Sequence, residues 1–244
     1  MRVVVLGCGT GVGKTRLSVA LLRALVARGV PVLGLKPIES GIERGDAPNV
    51  PASGSDAAAL AAAGSLKMEM PHPLYALRAP VSPHLAARSA GAQIDVKRVA
   101  SWVAQAEQNV TCVTSRVVAD SAHWTLIETA GGVFSPLGPG VTNFELALAL
   151  EPATWVLVAA DALGVLHDVS ATLRAMRACG REPEHLVLSG AREPDASTGS
   201  NATELATLGI ARPSAVLARD DDRGVSDLLE RLLDDAARRV QPLR

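Results

Sequence analysis

The sequence predicts an α/β fold in which a mostly parallel sheet carries helices on both faces. Short apolar runs alternate with longer stretches of helical periodicity, and this alternation is typical of a parallel sheet covered by helices. The 244 residues are 48% hydrophobic, which is enough to bury a sizeable core. No internal repeat, low-complexity tract or interdomain linker interrupts the pattern. We therefore predict one α/β domain over residues 1–244.

The predicted elements follow one another in β-α-β order. Strands are predicted at 2–6, 31–36, 124–128, 154–160, 185–189 and 213–217. Helices are predicted at 14–28, 56–64, 83–90, 94–108, 144–150, 167–179, 199–208 and 224–239. Segments 41–57 and 129–143 are rich in Gly and Pro and lack periodicity, so we predict long loops there, of the kind that compact enzymes keep for function. A disordered insertion is the alternative interpretation of 41–57.

The charge balance gives no reason to expect a polyanionic partner. The chain has 24 Lys and Arg against 25 Asp and Glu, with a net charge of −1, so no broad positive field favours nucleic acid or anionic lipid. The apolar stretch 146–166 carries Glu151, Pro152 and Asp161 and is not a membrane span. The apolar start at residues 3–6 lacks the length and cleavage site of a secretion signal. We predict no nucleic-acid partner and no membrane association.

The cysteines indicate a reducing compartment. Cys8, Cys112 and Cys179 are odd in number and far apart, which fits neither a disulfide framework nor a zinc ligand set. The expected location is therefore the cytoplasm. Cys8 lies beside a predicted helix N-terminus, where a thiol can be activated, but a structural role is the favoured interpretation.

The strongest local signal is a Gly-rich turn between the first predicted strand and the first predicted helix. Over residues 7–15 it reads Gly-Cys-Gly-Thr-Gly-Val-Gly-Lys-Thr. Glycines let backbone N–H groups surround phosphates, and the helix N-terminus favours their negative charge. Lys14 can reach the β- and γ-phosphates, and the Thr15 hydroxyl can bind Mg²⁺. The segment is therefore predicted to be a phosphate-binding P-loop.

One position departs from the strict P-loop pattern G-x-x-x-x-G-K-[ST]. That pattern places Gly where Cys8 stands, and Gly7 comes one position too early. From Gly9 to Thr15 the segment keeps the required context, so we interpret it as a variant P-loop. A Gly-rich turn that binds no phosphate is the alternative.

A second lysine ends the second predicted strand, where residues 36–41 read Lys-Pro-Ile-Glu-Ser-Gly. The carboxyl ends of parallel strands form the ligand crevice, so we expect Lys36 beside the P-loop. The chain has four lysines against twenty arginines, and two of the four, Lys14 and Lys36, stand at such strand ends. A chance position on the solvated surface is the alternative for Lys36.

Two carboxylates complete a candidate Mg²⁺ shell. Glu128 closes the strand 124–128 and precedes a Gly-Gly turn, a position from which it can reach a metal held between phosphates and Thr15. Asp56 precedes a predicted helix, and its position alone favours an N-cap role.

Taken together, these segments resemble the dethiobiotin synthetase family over about residues 2–170. The matching segments, in the same order and at similar spacing, are 7–15, 36–41, 55–57, 79–84, 128–137 and 163–167. A P-loop alone occurs with many functions. The combination of Lys-Pro-x-x-Ser-Gly with Glu-x-Ala-Gly-Gly-x-x-x-Pro-Leu is much more specific.

The resemblance implies a P-loop NTPase fold and the closure of a cyclic urea in biotin synthesis. The substrates it implies are 7,8-diaminononanoate, CO₂ and ATP or another nucleoside triphosphate. A carbamate and a carbamic-phosphoric anhydride are the implied intermediates. The resemblance also implies Mg²⁺ as cofactor and a homodimer, with the substrate near the subunit interface.

Roles for individual residues follow from the same resemblance. Catalytic roles fall to Lys36, Lys14 and Thr10. Nucleotide binding falls to Gly11, Val12, Gly13, Lys14, Thr15, Asp56, Glu128, Gly131 and Leu217. Substrate binding falls to Ser40, Pro80, Val81, Gly164, Val165 and Leu166. Metal binding falls to Thr15, Asp56 and Glu128.

Three departures from the family carry expectations of their own. Gly9 and Gly11 stand where better-known members have acidic residues. Residues 188–192, Leu-Ser-Gly-Ala-Arg, replace an Asn-Asp pair that reads the adenine edge, so we expect a weak preference for ATP over other nucleoside triphosphates. The loop 161–167 lacks the basic residue and the Asn usual before its His, which bears on recognition of the substrate carboxylate.

Several other residues receive a structural interpretation beside a functional one. Trp102, Trp124 and Trp155 are expected in the core or at an interface. His84 either shapes the diamine pocket or caps and packs a helix. Glu204 either lies near the nucleotide ribose or faces solvent.

Two further functional hypotheses remain open. One is a P-loop switch of the partitioning type, in which hydrolysis changes a partner interface. Such proteins usually have a second lysine early in the P-loop, where this chain has Gly9 and Gly11. The other is a regulatory relative without ligase activity.

Overall fold

The computed structural model describes residues 1–42, 51–112, 123–219, 221 and 223–240. Within these ranges the strands are β1 (Arg2–Gly7), β2 (Val32–Leu35), β3 (Ile38–Ser40), β4 (Leu66–Met68), β5 (Tyr75–Leu77), β6 (Val110–Cys112), β7 (Trp124–Glu128), β8 (Pro136–Gly138), β9 (Val141–Thr142), β10 (Thr154–Asp161), β11 (His185–Gly190) and β12 (Ala215–Leu217). The helices are α1 (Lys14–Ala27), α2 (Asp56–Ala63), α3 (Pro83–Ser89), α4 (Val96–Gln108), α5 (Asn143–Ala149), α6 (Val165–Ala178), α7 (Asn201–Thr207) and α8 (Arg223–Val240).

Six of these strands form one parallel sheet in the order β12-β11-β10-β1-β7-β2. Strand β1 lies in the middle, with Val3 opposite Thr154 of β10 and Arg2 opposite Thr125 of β7. Because all six strands run in the same direction, their carboxyl ends meet at one edge of the sheet. The chain reaches β2 and β7 on one side of β1 and β10 to β12 on the other, so β1 stands at the point where a parallel sheet forms its ligand crevice.

Apolar side chains pack against both faces of the sheet. Along β1, Val4 and Leu6 belong to one buried cluster, whereas Val3 and Val5 belong to the cluster on the other face. This split follows from the two-residue period of a strand. Helices α4, α5 and α6 cover the first face, and α1 and α8 cover the second. The continuous apolar composition of the strand is therefore explained by burial on both sides.

The predicted fold class is confirmed, and each predicted strand and helix occurs among the described residues with its ends shifted by a few positions. The short strands β3, β4, β5, β6, β8 and β9 are not predicted, because two or three residues are too few to show a period. Inside the predicted loop 129–143, β8 and β9 form an antiparallel hairpin. In the predicted loop 41–57, residues 43–50 lie outside the described residues. None of the helices in the described ranges is long and apolar enough for a membrane crossing.

Candidate active site

A cavity of about 630 Å³ opens at the carboxyl edge of the sheet. Its wall combines the P-loop and the start of α1 with residues at or just beyond the carboxyl ends of β2, β7, β10 and β11. This volume lies in the range typical of sites for small molecules and cofactors. The topology therefore brings the P-loop, Lys36, Asp56 and Glu128 to one place.

The P-loop passes from β1 into α1 with glycine where the backbone requires it. Gly11 and Gly13 have φ values of 74° and 95°, which L side chains rarely adopt. A Cβ on Gly13 would also lie 2.2 Å from Ser189 Oγ at the end of β11. Cys8 does not adopt a positive φ, since every positive φ in the described residues belongs to glycine. The Cys8 N–H donates to the Val158 carbonyl at 2.9 Å. The departure at Cys8 is thus compatible with a working P-loop.

Lys14 lies at the start of α1, which has no side-chain cap to occupy its first N–H groups. The Lys14 ammonium is buried and donates to the Gly9 carbonyl at 3.2 Å. Burial lowers the pKa of Lys14 to about 8, although the Glu128 carboxylate acts in the opposite direction. An incoming polyphosphate would therefore find both a helix N-terminus and a lysine whose positive charge it would stabilise.

Lys36 connects the two candidate carboxylates. Its Nζ donates to Glu128 Oε1 at 2.7 Å and also to the Asp56 carboxylate. The Thr15 hydroxyl donates to the same Glu128 oxygen at 2.8 Å. Burial alone would lower the pKa of Lys36, but Glu128 and Asp56 outweigh it and raise the pKa above its ordinary value. Lys36 is therefore a permanent cation held between two anions.

Glu128 keeps one oxygen without a partner. Its side chain is fully buried, and Oε2 accepts no hydrogen bond within the described part of the chain. A buried carboxylate oxygen left in this state is costly, and a cation would satisfy it. Mg²⁺ is usually held by one or two carboxylates together with substrate phosphates, a requirement that Glu128, Asp56 and the Thr15 hydroxyl fit.

The residue that caps α2 is Ser55, which corrects the prediction of an N-cap role for Asp56. Ser55 Oγ accepts a hydrogen bond from the Ala58 N–H at 3.1 Å. Asp56 is the first residue of the helix, and its carboxylate pairs with Lys36. Because the Ser55 hydroxyl takes the capping position, the Asp56 side chain is available to the cavity.

The structure places most of the predicted site residues around this cavity. Those that line it are Thr10, Gly11, Val12, Gly13, Lys14, Thr15, Lys36, Ser40, Asp56, Glu128 and Gly131. Pro80 lies against Gly41, just past Ser40, and Val81 is partly exposed beside it. Residues 164–166 begin α6 and lie outside the cavity lining. The Leu217 side chain is fully buried in the apolar core, and the adjoining cavity wall is formed by Arg219. The roles of Pro80, Val81, Gly164, Val165, Leu166 and Leu217 remain predictions.

The sequence analysis assigned no binding role to five further residues that line the cavity, Arg16, Glu39, Ser189, Arg192 and Arg219. Arg16 donates to the Arg219 carbonyl at 2.8 Å, and Arg219 donates to the Arg192 carbonyl at 2.7 Å. These contacts join the start of α1 to the loops after β11 and β12. Arginine is common in this chain, so its position alone carried no signal.

Three further expectations from the sequence concern Cys8, the tryptophans and Glu204. Burial raises the pKa of Cys8 to about 11, so this thiol is not activated and its role is structural. Trp102, Trp124 and Trp155 are buried in the core, as predicted. Glu204 is exposed on α7 and does not line the cavity.

Solved structures show that the fold is shared with P-loop ATPases. The septum site-determining protein MinD from Pyrococcus horikoshii OT3, complexed with Mg-ADP, superimposes with a TM-score of 0.57 at 14% identity, covering 99% of each chain. The cell division ATPase MinD from Pyrococcus furiosus gives a TM-score of 0.53 at 16% identity, covering 96% of this chain and 98% of that one. At such low identity the likeness concerns the fold alone.

The fold and the site define the chain as a P-loop NTPase. A family model described as an AAA domain matches residues 1–220. The ATP-dependent dethiobiotin synthetase BioD of Anaeromyxobacter sp. (strain K) is 34% identical over 221 residues, which span 89% of this chain and 90% of the relative. That of Caulobacter sp. (strain K31) is 35% identical over 190 residues, 76% of this chain and 74% of the relative. The chain therefore belongs to the dethiobiotin synthetase family.

Proposed function

We propose that this chain is an ATP-dependent dethiobiotin synthetase. It closes the ureido ring of dethiobiotin on 7,8-diaminononanoate with CO₂ and a nucleoside triphosphate. The observation that carries the proposal is the convergence of two lysine ammonium groups, from Lys14 and Lys36, on one cavity that also holds the buried Glu128 carboxylate. The membership of the dethiobiotin synthetase family supports the same activity.

The reaction proceeds in three steps. One amine of the substrate attacks CO₂ and loses a proton, which gives a carbamate. A carbamate oxygen then attacks the γ-phosphorus of the triphosphate, which releases the nucleoside diphosphate and leaves a carbamic-phosphoric anhydride. The second amine attacks the carbonyl carbon and loses a proton, and inorganic phosphate leaves as the ring closes. Each step develops negative charge on oxygen, so positioned cations lower the barriers.

The two lysines divide the electrostatic work. Lys14, at the start of α1, stabilises the phosphates together with the N–H groups of the P-loop. Lys36 lies at the end of β2, where its ammonium orients the carbamate and the γ-phosphate oxygens. Thr10 lines the cavity from the P-loop and supplies a hydroxyl to the transferred phosphoryl group.

Thr15, Asp56 and Glu128 would hold Mg²⁺ in this site. Two observations support this assignment: Glu128 Oε2 has no partner among the described residues, and the Thr15 hydroxyl lies beside Oε1. Bound Mg²⁺ neutralises charge on the phosphates of the co-substrate. The Asp56 and Glu128 carboxylates also hold the Lys36 ammonium in place before the substrates bind.

The diamine would bind beside Ser40, Pro80 and Val81, with its carboxylate tail received by residues 164–166 of a second subunit. The loop before α6 is accessible, with Leu163 85% exposed, but the assignment of the tail site rests on the family resemblance. A homodimer, a cytoplasmic location and a single domain over residues 1–244 belong to the same proposal.

The test is the dependence of phosphate release on both co-substrates. Purified protein with ATP and Mg²⁺ should release phosphate only when bicarbonate and 7,8-diaminononanoate are both present, and mass spectrometry should detect dethiobiotin in equal amount. Hydrolysis at the same rate without the diamine would instead indicate a P-loop switch.

A further inference from the structure

A buried carboxylate that belongs to neither the phosphate loop nor the predicted metal shell stands at the N-terminus of α2. Glu39 lies in the middle of β3, and only 6% of its surface is exposed. Its Oε1 accepts a hydrogen bond from the Asp56 N–H at 2.7 Å, and its Oε2 accepts one from the Ala57 N–H at 2.9 Å. Both oxygens of one side chain thus bind the first two N–H groups of the helix.

This contact completes the N-terminus of α2. The Ala58 N–H donates to the Ser55 hydroxyl, and the Ser55 N–H, at the N-cap position, donates to the Ala52 carbonyl, at 3.1 Å each. All four N–H groups that an α-helix leaves without an internal partner are therefore satisfied. A carboxylate at this end is also favoured by the helix dipole. The first turn of α2 is consequently fixed from two directions, by Ser55 within the segment and by Glu39 from another strand.

The helix that Glu39 fixes begins with Asp56. The Asp56 carboxylate pairs with Lys36, although 43% of the Asp56 side chain is exposed. Such an exposed side chain has little packing to hold its rotamer, so its position depends on its backbone. Glu39 holds that backbone and itself lines the same cavity.

We propose that Glu39 is a positioning residue that holds Asp56 at the magnesium and Lys36 end of the cavity. This inference rests on the proposed function, because it takes Asp56 as a metal-binding residue. Glu39 acts through the α2 backbone and need not touch the substrates. Loss of its carboxylate leaves two helix N–H groups without acceptors in a buried place, and the first turn of α2 then loosens. Outer groups of this kind typically change metal affinity by about 10- to 100-fold.

The experiment measures metal binding without turnover. Mn²⁺ serves as the probe, and its affinity is measured by electron paramagnetic resonance in the presence of a non-hydrolysable ATP analogue. The variants are Glu39→Ala and Glu39→Gln, with Glu69→Gln as matched control, because Glu69 is exposed and does not line this cavity. Glu39→Ala should weaken Mn²⁺ binding about 10-fold or more, and Glu39→Gln, which keeps one acceptor oxygen, should weaken it less. Glu69→Gln should leave the affinity unchanged.

A double-mutant cycle with Asp56→Asn separates positioning from general stabilisation. If Glu39 acts through Asp56, then Glu39→Ala adds little further loss of Mn²⁺ affinity once Asp56 is already replaced. Full additivity of the two losses would overturn the proposal. So would a Glu39→Ala variant that has a lower melting temperature but normal Mn²⁺ affinity.

Because the experiment measures Mn²⁺ binding, its result does not depend on whether the protein has ligase activity. If the wild-type protein made no dethiobiotin but bound Mn²⁺ and nucleotide, the proposed function would fail while the Glu39 cycle still gave its answer.

Discussion

The Lys36 ammonium and the Glu128 carboxylate form a buried ion pair, with Nζ 2.7 Å from Oε1. The pair joins the ends of β2 and β7, two neighbouring strands of the sheet. Two charges removed from water are stable there only because each has further partners: Lys36 also binds Asp56, and Glu128 also accepts from Thr15. The cation to which the proposed function assigns a role in phosphoryl transfer is thus in place before any substrate binds, and the groups proposed to bind metal stabilise its burial.

Replacement of Lys36 by methionine should abolish most of the ring-forming activity. A neutral side chain of similar length cannot stabilise the carbamate and γ-phosphate oxygens, so kcat/KM should fall by at least about 100-fold. The measurement is dethiobiotin formation at saturating ATP and bicarbonate. Lys97→Met, at an exposed position of α4, is the matched control and should keep full activity. Ring formation at the wild-type rate by Lys36→Met would refute the proposed chemistry.

Replacement of Glu128 by glutamine should raise the Mg²⁺ concentration needed for half-maximal activity. The amide keeps the shape of the side chain but removes the charge beside Thr15 and the free Oε2, so the requirement should rise by about 10-fold or more. Rates are measured across a Mg²⁺ titration at fixed total nucleotide. An unchanged titration curve would show that Glu128 does not bind the metal.

Replacement of Lys14 by methionine should stabilise the free protein while it impairs nucleotide binding. The pKa of Lys14 is lowered to about 8 by burial, so the folded state gives up this proton before the unfolded state does. The protonated, buried ammonium therefore destabilises the fold below pH 8, and this penalty fades as the pH rises from about 8 towards the ordinary lysine pKa of roughly 10.4. Lys14→Met should exceed the wild type in free energy of unfolding by about 1–3 kcal/mol at pH 7.

Urea unfolding of the two proteins at several pH values checks this expectation. The difference in free energy of unfolding between Lys14→Met and the wild type should decrease above pH 8. A difference in free energy of unfolding that increased with pH would mean that the ammonium stabilises the fold and that the sign of the burial effect is wrong. In the wild type, the KM for the triphosphate should rise above pH 8, because neutral Lys14 binds phosphate poorly.

The nucleotide preference should be weak. Around the cavity, residues 189–192 present Ser, Gly, Ala and Arg, and no Asn-Asp pair occupies this place. Without the amide and carboxylate of such a pair to bind the adenine edge, ATP should exceed GTP, CTP and UTP in kcat/KM by less than about 100-fold. Steady-state rates with the four triphosphates decide this. A preference of several hundredfold for ATP would show that backbone groups read the base.

The P-loop shows what could be expected before the structure and what could not. The strand, lysine, hydroxyl and helix of the P-loop could be predicted from the sequence around residues 7–15, because local spacing determines all of them. The close approach of Ser189 to Gly13 could not be predicted from the sequence, because it depends on the pairing of β10 with β11 far along the chain. The contacts of Glu39 could not be predicted for the same reason, since its partners Asp56 and Ala57 lie more than ten residues further along the chain.

The sequence by itself determined the order of the helices and of the six strands in the main sheet, the phosphate loop, the second lysine and the two acidic positions, because hydropathy periods and short motifs act over a few residues. Only the tertiary structure decided that Asp56 pairs with Lys36 and that, within the described residues, one buried Glu128 oxygen has no partner. These are relations between residues far apart in the chain, on α2 and at the ends of β2 and β7. They arise when the parallel sheet brings its carboxyl ends together, and the burial and pairing of each charge there depend on that packing rather than on neighbouring residues in the chain.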